Sequence, residues 1–353
     1  MKPGDLARAE IRALKPYASA RAITDSAGIL LNANENPWPP AGDGGLELNR
    51  YPDPQPDNLK ARLAEVYGVD KNQLLITRGS DEGIDLLIRV FCRAGKDRVL
   101  ICPPCFGMYA LSASVQAAEI VEVPLVENNG KWNINLPAVE SAAPCRLYFL
   151  CSPNNPTGNL IEAETVLNLA ASVADHGLVV IDEAYVEFCN EGSLADQISR
   201  QPNLVVLRTL SKAYALAGCR IGTVIADPEI VDLLRRIIAP YPLPKPSVAA
   251  AMSALSPTAL AQQQEQLTAL AREKQALVEQ LRAHPMILQI WPGEANFVLV
   301  RVGEAGQLVD DASAAGIRLR NQSAQPGLKG CVRITIGSER EMQTLSRFLT
   351  DWR

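Results

Sequence analysis

The residues best suited to chemistry fall in four short stretches, each at the end of an apolar run. The last, Thr209-Leu-Ser-Lys-Ala-Tyr-Ala-Leu-Ala-Gly-Cys-Arg-Ile-Gly222, sets Lys212 among small and apolar neighbours, with Ser211 and Arg220 on either side. A lysine partly withdrawn from water and close to another cation has a lowered pKa, which suits an amine that forms a Schiff base with a carbonyl compound. The plain alternative, a surface lysine on a loop, fits those neighbours poorly. The third stretch, Asp182-Glu-Ala-Tyr185, follows the apolar run Leu178–Ile181. A carboxylate ending a buried strand needs a cation. A protonated ring nitrogen of a bound molecule would serve, as would Mg²⁺, while a helix N-cap would use the carboxylate differently. The Mg²⁺ reading lacks its companion, a GxxxxGK[ST] loop upstream.

The other two stretches bind rather than react. In Thr77-Arg-Gly-Ser-Asp-Glu-Gly83, Gly79 permits a tight turn, and Ser80 and Asp81 stand where a helix begins. Free backbone N–H groups at such a start favour a phosphate, although a simple N-cap reads the same. In Ser152-Pro-Asn-Asn-Pro-Thr-Gly158, two prolines and a glycine fix a loop from which Asn155 could donate to a ligand oxygen. Asn and Pro are also ordinary turn residues.

Something must hold these stretches at one place. Apolar runs predict strands at Leu74–Thr77, Arg98–Cys102, Ile120–Val123, Arg146–Cys151, Leu178–Asp182, Leu204–Leu207 and Gly222–Ala226. Amphipathic segments such as Glu82–Phe91 and Ala163–His176 alternate with them. That alternation predicts an α/β unit with a mostly parallel seven-stranded sheet covered on both faces. All four stretches then lie at C-terminal strand ends, where open α/β sheets bind ligands. The proline-rich run Ala239–Pro246 cannot be a helix interior and marks a break. Beyond it come a long helical pattern, Ser247–Ala283, strand-like Asn296–Arg301, Arg318–Arg320 and Cys331–Ile336, and a helix from Glu339. The expected division is a large domain over 30–240 and a small α+β domain from 1–29 with 241–353.

Composition narrows the class. The chain has 353 residues, a net charge of −5, and 47% hydrophobic and 21% charged residues. That predicts a globular protein with no general pull toward nucleic acid or acidic membranes. No apolar run reaches the roughly 18 to 20 residues of a membrane helix, and Met1–Leu14 does not read as a secretory signal. Eight scattered cysteines predict reduced thiols and a cytoplasmic protein. Cys102-Pro-Pro-Cys105 has redox or zinc spacing, but no second pair accompanies it, and His176 and His284 stand alone. Two packing thiols and no metal site are expected. A nicotinamide dehydrogenase would need GxGxxG after the first strand, which is absent.

Taken in order, the motifs resemble those of fold type I pyridoxal-phosphate aminotransferases. Among these, the chain looks like the histidinol-phosphate aminotransferases of bacterial histidine synthesis. The resemblance runs from Leu31-Asn-Ala-Asn-Glu-Asn-Pro37 and Asn49-Arg-Tyr-Pro52 through the four stretches and Cys102-Pro-Pro-Cys-Phe-Gly-Met-Tyr109. It ends at Gly316–Gln322 and Gly330-Cys-Val-Arg-Ile-Thr-Ile-Gly337. It implies that Lys212 forms the Schiff base with pyridoxal 5′-phosphate and moves the substrate's Cα proton. Asp182 would pair with the ring nitrogen, and Asn155 and Tyr185 would bond the ring oxygen. Tyr109 would stack on the ring. Ser80, Asp81, Thr209, Ser211 and Arg220 would surround the phosphate, Asp81 through its backbone N–H, and Tyr51 would reach it from the other subunit of a homodimer. On the substrate side, Tyr17, Asn155, Arg320 and Arg333 would meet histidinol phosphate and then glutamate or 2-oxoglutarate. Where threonine and tyrosine are expected before Gly-Met-Tyr, this chain has Cys105-Phe106, which touches only local packing. A broad aromatic aminotransferase or a threonine-phosphate decarboxylase of the same fold is the alternative.

Overall fold

The computed structural model describes residues 2–17, 29–142 and 144–353. Its strands are β1 (Leu74–Thr77), β2 (Arg98–Ile101), β3 (Glu119–Glu122), β4 (Val126–Asn128), β5 (Lys131–Asn133), β6 (Leu147–Cys151), β7 (Leu178–Asp182), β8 (Leu204–Thr209), β9 (Gly222–Ile225), β10 (Ile287–Trp291), β11 (Phe297–Val302), β12 (Arg320–Asn321) and β13 (Cys331–Thr335). Seven form one sheet in the order β1-β9-β8-β7-β6-β2-β3. Only β9 runs against its neighbours. All seven strands expected from the apolar runs are present.

The sheet's side chains alternate between two cores. Leu75, Val99, Phe149, Val180, Val205 and Val224 pack under helices Gly79–Phe91, Met108–Val115 and Pro228–Arg235. Ile76, Leu100, Leu150, Ile181, Val206 and Ile225 face the other way, toward helices Asp57–Tyr67 and Ala163–Ser172. Burial on both faces explains why β-branched runs, rather than alternating patterns, betrayed these strands.

The small unit is an antiparallel sheet, β10-β11-β13-β12. Val298, Val300 and Val332 pack against helices Pro257–Ala283, Ala305–Ala314 and Glu339–Asp351. From its other face, Trp291, Leu299 and Cys331 join the core of the large sheet, which docks the two units.

Several details differ from expectation. The long helical pattern is two helices, Lys245–Ala254 and Pro257–Ala283. Pro257 lacks an N–H and starts the second at its first turn, and the Ser256 side chain accepts from Ala259 N. The first helix packs with the large unit through Ala251 and Leu255, so the boundary expected at 241 lies later in the contacts. The N-terminal segment, expected with the small domain, lies on the large one where it is described. Leu6 and Ala7 join the core beside Ile84 and Val90, and Arg8 N donates to Val90 O at 3.0 Å. Residues 18–28 of that segment lie outside the described residues. Strand β10 and the β4-β5 hairpin were not foreseen.

Candidate active site

The four stretches meet at a cavity of about 580 Å³ between the units, at the C-terminal ends of β1, β6, β7 and β8. One end is a basic, hydroxyl-lined cradle. Gly79 adopts φ +74° and turns β1 into its helix. Gly222 lies so close beneath that a Cβ there would come 2.4 Å from Gly79 C and Ser80 N. Arg220, itself at φ +53°, places Nη2 3.0 Å from Asp81 Oδ2 and Nη1 3.4 Å from Ser211 Oγ. Thr209 Oγ1 accepts from Ser211 N at 3.1 Å. Ser80, Asp81, Thr209, Ser211 and Arg220 therefore share one wall, with a helix N-terminus aimed into it.

Asp182 forms the floor and is 2% exposed. Its Oδ1 accepts from Ala184 N at 3.0 Å and its Oδ2 from the Tyr109 hydroxyl at 2.7 Å. Burial pushes its pKa up to about 6, and these two hydrogen bonds restrain the rise. Behind it, buried Arg208 bonds Glu187 at 2.7 Å and lies 3.7 Å from Glu183. That ion group anchors the turn carrying Asp182 and Tyr185, and nothing in the local sequence announced it.

Lys212 opens onto the cavity, its Nζ 5.6 Å from the Tyr185 ring centroid. Its pKa is lowered, first by partial desolvation and next by the Arg333 guanidinium, with Arg220 contributing least. The neighbouring cation expected from the sequence is thus mainly a residue of the small unit.

The far wall comes from that unit. Arg333 donates to Asn155 Oδ1 and lies 5.2 Å over the Phe297 ring. With its oxygen occupied, Asn155 presents its Nδ2 donor. Tyr185 is held edge-on against Phe297 at 5.4 Å, and burial raises its phenol pKa. Arg320 pairs directly opposite Arg333 across β12 and β13. Like charges in that register repel, and burial followed by the Arg320 charge lowers the Arg333 pKa. The cavity is therefore cationic at both ends.

Three expected residues do not line it. Tyr17 and Tyr51 are 74% and 48% exposed, and Tyr51 stacks on Tyr241 at 4.4 Å. Tyr109 is a correction. It was expected to stack on a ligand ring, but it is fully buried, with its ring against Phe149 at 5.0 Å. Phe106 lines the cavity in its stead. Tyr109 lies on the inner side of helix Met108–Val115, whereas Phe106 precedes that helix. Gln322 and Gln325, joined at 3.2 Å, also line the wall beside Arg320 and were missed as unremarkable amides. Cys102 and Cys105 are buried and unbridged. Among the described residues, no cluster of three or more His, Cys, Asp or Glu is arranged to hold a metal.

A doubly wound large sheet with a lysine, a buried aspartate and an anion cradle at its strand ends defines a class, and comparison with known proteins agrees. Residues 30–349 match the model of the class I and II aminotransferases, and the chain belongs to that family. The histidinol-phosphate aminotransferase of Aeromonas hydrophila is 44% identical, with 99% of this chain and 98% of that protein covered. Its counterpart in Xylella fastidiosa is 43% identical over 98% of this chain and 96% of that protein. The crystal structure of histidinol-phosphate aminotransferase from Sinorhizobium meliloti in complex with pyridoxal-5′-phosphate is 27% identical. It superposes with a TM-score of 0.79 over 90% of this chain and 88% of that one. Among the described residues, no helix is long and apolar enough to cross a membrane.

Proposed function

We infer that this chain binds pyridoxal 5′-phosphate and exchanges an amino group between histidinol phosphate and 2-oxoglutarate, giving imidazole acetol phosphate and glutamate, a step in making histidine. The observation that carries the substrate reading is the opposed pair Arg320 and Arg333 at one end of the cavity. The cradle at the other end accounts for a second phosphate. A buried acceptor, Asp182, lies between them. The residues present fit the cofactor. The close approach of Gly222 to Gly79 leaves no room for a Cβ at Gly222 beneath the phosphate cradle, and buried Asp182 is placed to take a cationic partner.

When bound, the cofactor supplies an electron sink for the bond broken at the substrate's Cα. Ser80, Thr209, Ser211, Arg220 and the backbone N–H of Asp81 would hold its phosphate. Asp182 would keep a proton on the ring nitrogen. Asn155 Nδ2 and the Tyr185 hydroxyl would donate to the ring oxygen, and Phe106, rather than Tyr109, would cover the ring. Lys212 would attach the cofactor and, once displaced, move the proton at Cα. Its lowered pKa favours the neutral amine that this proton transfer requires. Arg333 and Arg320 would bind the phosphate of one substrate and the carboxylates of the other in turn.

A second copy of the chain completes the reading. Leu31, Trp38 and Tyr51 are large apolar residues exposed on one segment, and a homodimer would cover them while bringing Tyr51 to its neighbour's phosphate cradle. Tyr17 would close over the substrate. Eight unbridged thiols, most of them buried, suit the reducing cytoplasm. The test is a half-reaction. Protein loaded with pyridoxal phosphate is mixed with histidinol phosphate alone, and absorbance follows conversion of the aldehyde form to the amine form. Addition of 2-oxoglutarate should restore the first spectrum. If histidinol phosphate leaves the spectrum unchanged while tyrosine converts it, the substrate reading gives way to a broad aromatic aminotransferase.

A further inference from the structure

Asp182 has two carboxylate oxygens and two protein donors. One is a backbone N–H, of Ala184. The other is the Tyr109 hydroxyl, the shorter bond at 2.7 Å. Tyr109 is unusually well restrained for a donor. It has no exposed surface, its ring lies nearly parallel to Phe149, and Phe106 meets it edge-on at 5.7 Å. Burial, and then the Asp182 charge, hold its phenol pKa well above the ordinary value. The hydroxyl therefore keeps its proton at any working pH and serves Asp182 as a donor. It does not reach the cavity, so it has no direct part in binding ligand.

We propose that Tyr109 is the positioning residue for Asp182, fixing the plane of its carboxylate and keeping it ionised so that it faces the cavity as a ready anion. The other titratable or charged groups around Asp182 are Asp81 at the start of helix Gly79–Phe91, Cys151 at the end of β6, Lys212 after β8 and Tyr185 beyond β7. Asp81 disfavours the charge on Asp182, and Lys212 favours it from across the cavity. Only Tyr109 among them contacts the carboxylate with a proton. Without it, Oδ2 would be a buried acceptor with no donor. The two aromatic side chains three residues apart thus divide the work. Phe106 faces the ligand, and Tyr109 sets the charge beneath it.

The consequence for the cofactor rests on the proposed role of Asp182, but the effect on Asp182 itself does not. The experiment uses Tyr109→Phe, which removes one oxygen and keeps the packed ring. Asp182 is titrated in cofactor-free protein by carboxyl-¹³C aspartate NMR, its signal assigned by its loss in Asp182→Asn. A charge-assisted hydrogen bond corresponds to about one to two pH units, so the Asp182 titration should move up by that amount. A tyrosine that merely filled space would leave the titration in place and lower stability alone, and that result would overturn the proposal. Pyridoxal-phosphate affinity, read by fluorescence quenching, should fall by about ten- to a hundredfold. If the titration moves and the affinity does not, Tyr109 keeps its role over Asp182, and the pairing of Asp182 with the ring nitrogen is what fails.

Discussion

A buried carboxylate that awaits a cation should cost the empty protein stability, and Asp182 gives a way to measure that cost. Its pKa is pushed from 3.8 to about 6, chiefly by burial. At about 1.4 kcal/mol per pH unit, the ionised form is disfavoured in the fold by about 3 kcal/mol at pH 8. The folded value lies above the unfolded one. The stabilising contribution of the protonated acid is therefore complete below pH 3.8 and is lost as pH rises through about 6. Asp182→Asn has the same shape and no charge. Its amide oxygen can accept from Ala184 N, and the Tyr109 hydroxyl can turn to accept from the amide nitrogen. The cofactor-free variant should thus be more stable than the parent by about 2 to 3 kcal/mol at pH 8, and by roughly half that at pH 5. Urea unfolding at the two pH values reads the difference. Turnover of the loaded variant should fall by at least the roughly 10²- to 10³-fold of a lost electrostatic partner. A variant less stable than the parent at pH 8, or one whose gain is the same at both pH values, would refute burial as the cause of the raised pKa.

Four further outcomes are expected. Gly222→Ala would force a methyl to 2.4 Å from the backbone of Gly79 and Ser80, so it should lose about 1 to 3 kcal/mol of stability and weaken pyridoxal phosphate more than pyridoxal in equilibrium binding. Borohydride reduction of the loaded protein, followed by peptide mapping, should label Lys212, and label on another lysine would remove it from its role. Arg320→Ala should narrow the preference for histidinol phosphate over histidinol by about ten- to a hundredfold in kcat/KM, the worth of one charge-assisted bond; an unchanged ratio would take Arg320 out of substrate recognition. Mixing inactive Lys212→Ala with an inactive Tyr51→Phe chain should restore activity in hybrid dimers, and hybrids as dead as their parents would confine Tyr51 to its own subunit.

The large sheet was legible because its strands are buried on both faces, so runs such as Leu178–Ile181 stand out without any periodic reading. The site was legible because each motif closes such a strand. What sequence could not settle was phase and distance. Phe106 and Tyr109 are both aromatic and three residues apart, and which one faces the cavity depends on where helix Met108–Val115 begins. The cation that most perturbs Lys212 is Arg333, brought from the small unit by folding, while Arg220, nearer in sequence, pairs with Asp81. The amphipathic pattern ran unbroken through Ser256-Pro257, hiding the division between two helices. The N-terminal segment carried too few apolar residues to show which unit it packs on.

The facing of Arg320 and Arg333 across a strand pair also bears on how the protein is handled. Two guanidinium groups in register will recruit whatever oxyanion the solution offers. Sulfate or phosphate buffer should therefore steady the empty protein against heat and, for the same reason, compete with substrate during assay. With the substrate role proposed for this pair, the purification buffer that best preserves the enzyme should also be the one that most inflates its apparent KM, and an affinity measured in a zwitterionic buffer should be free of that competition.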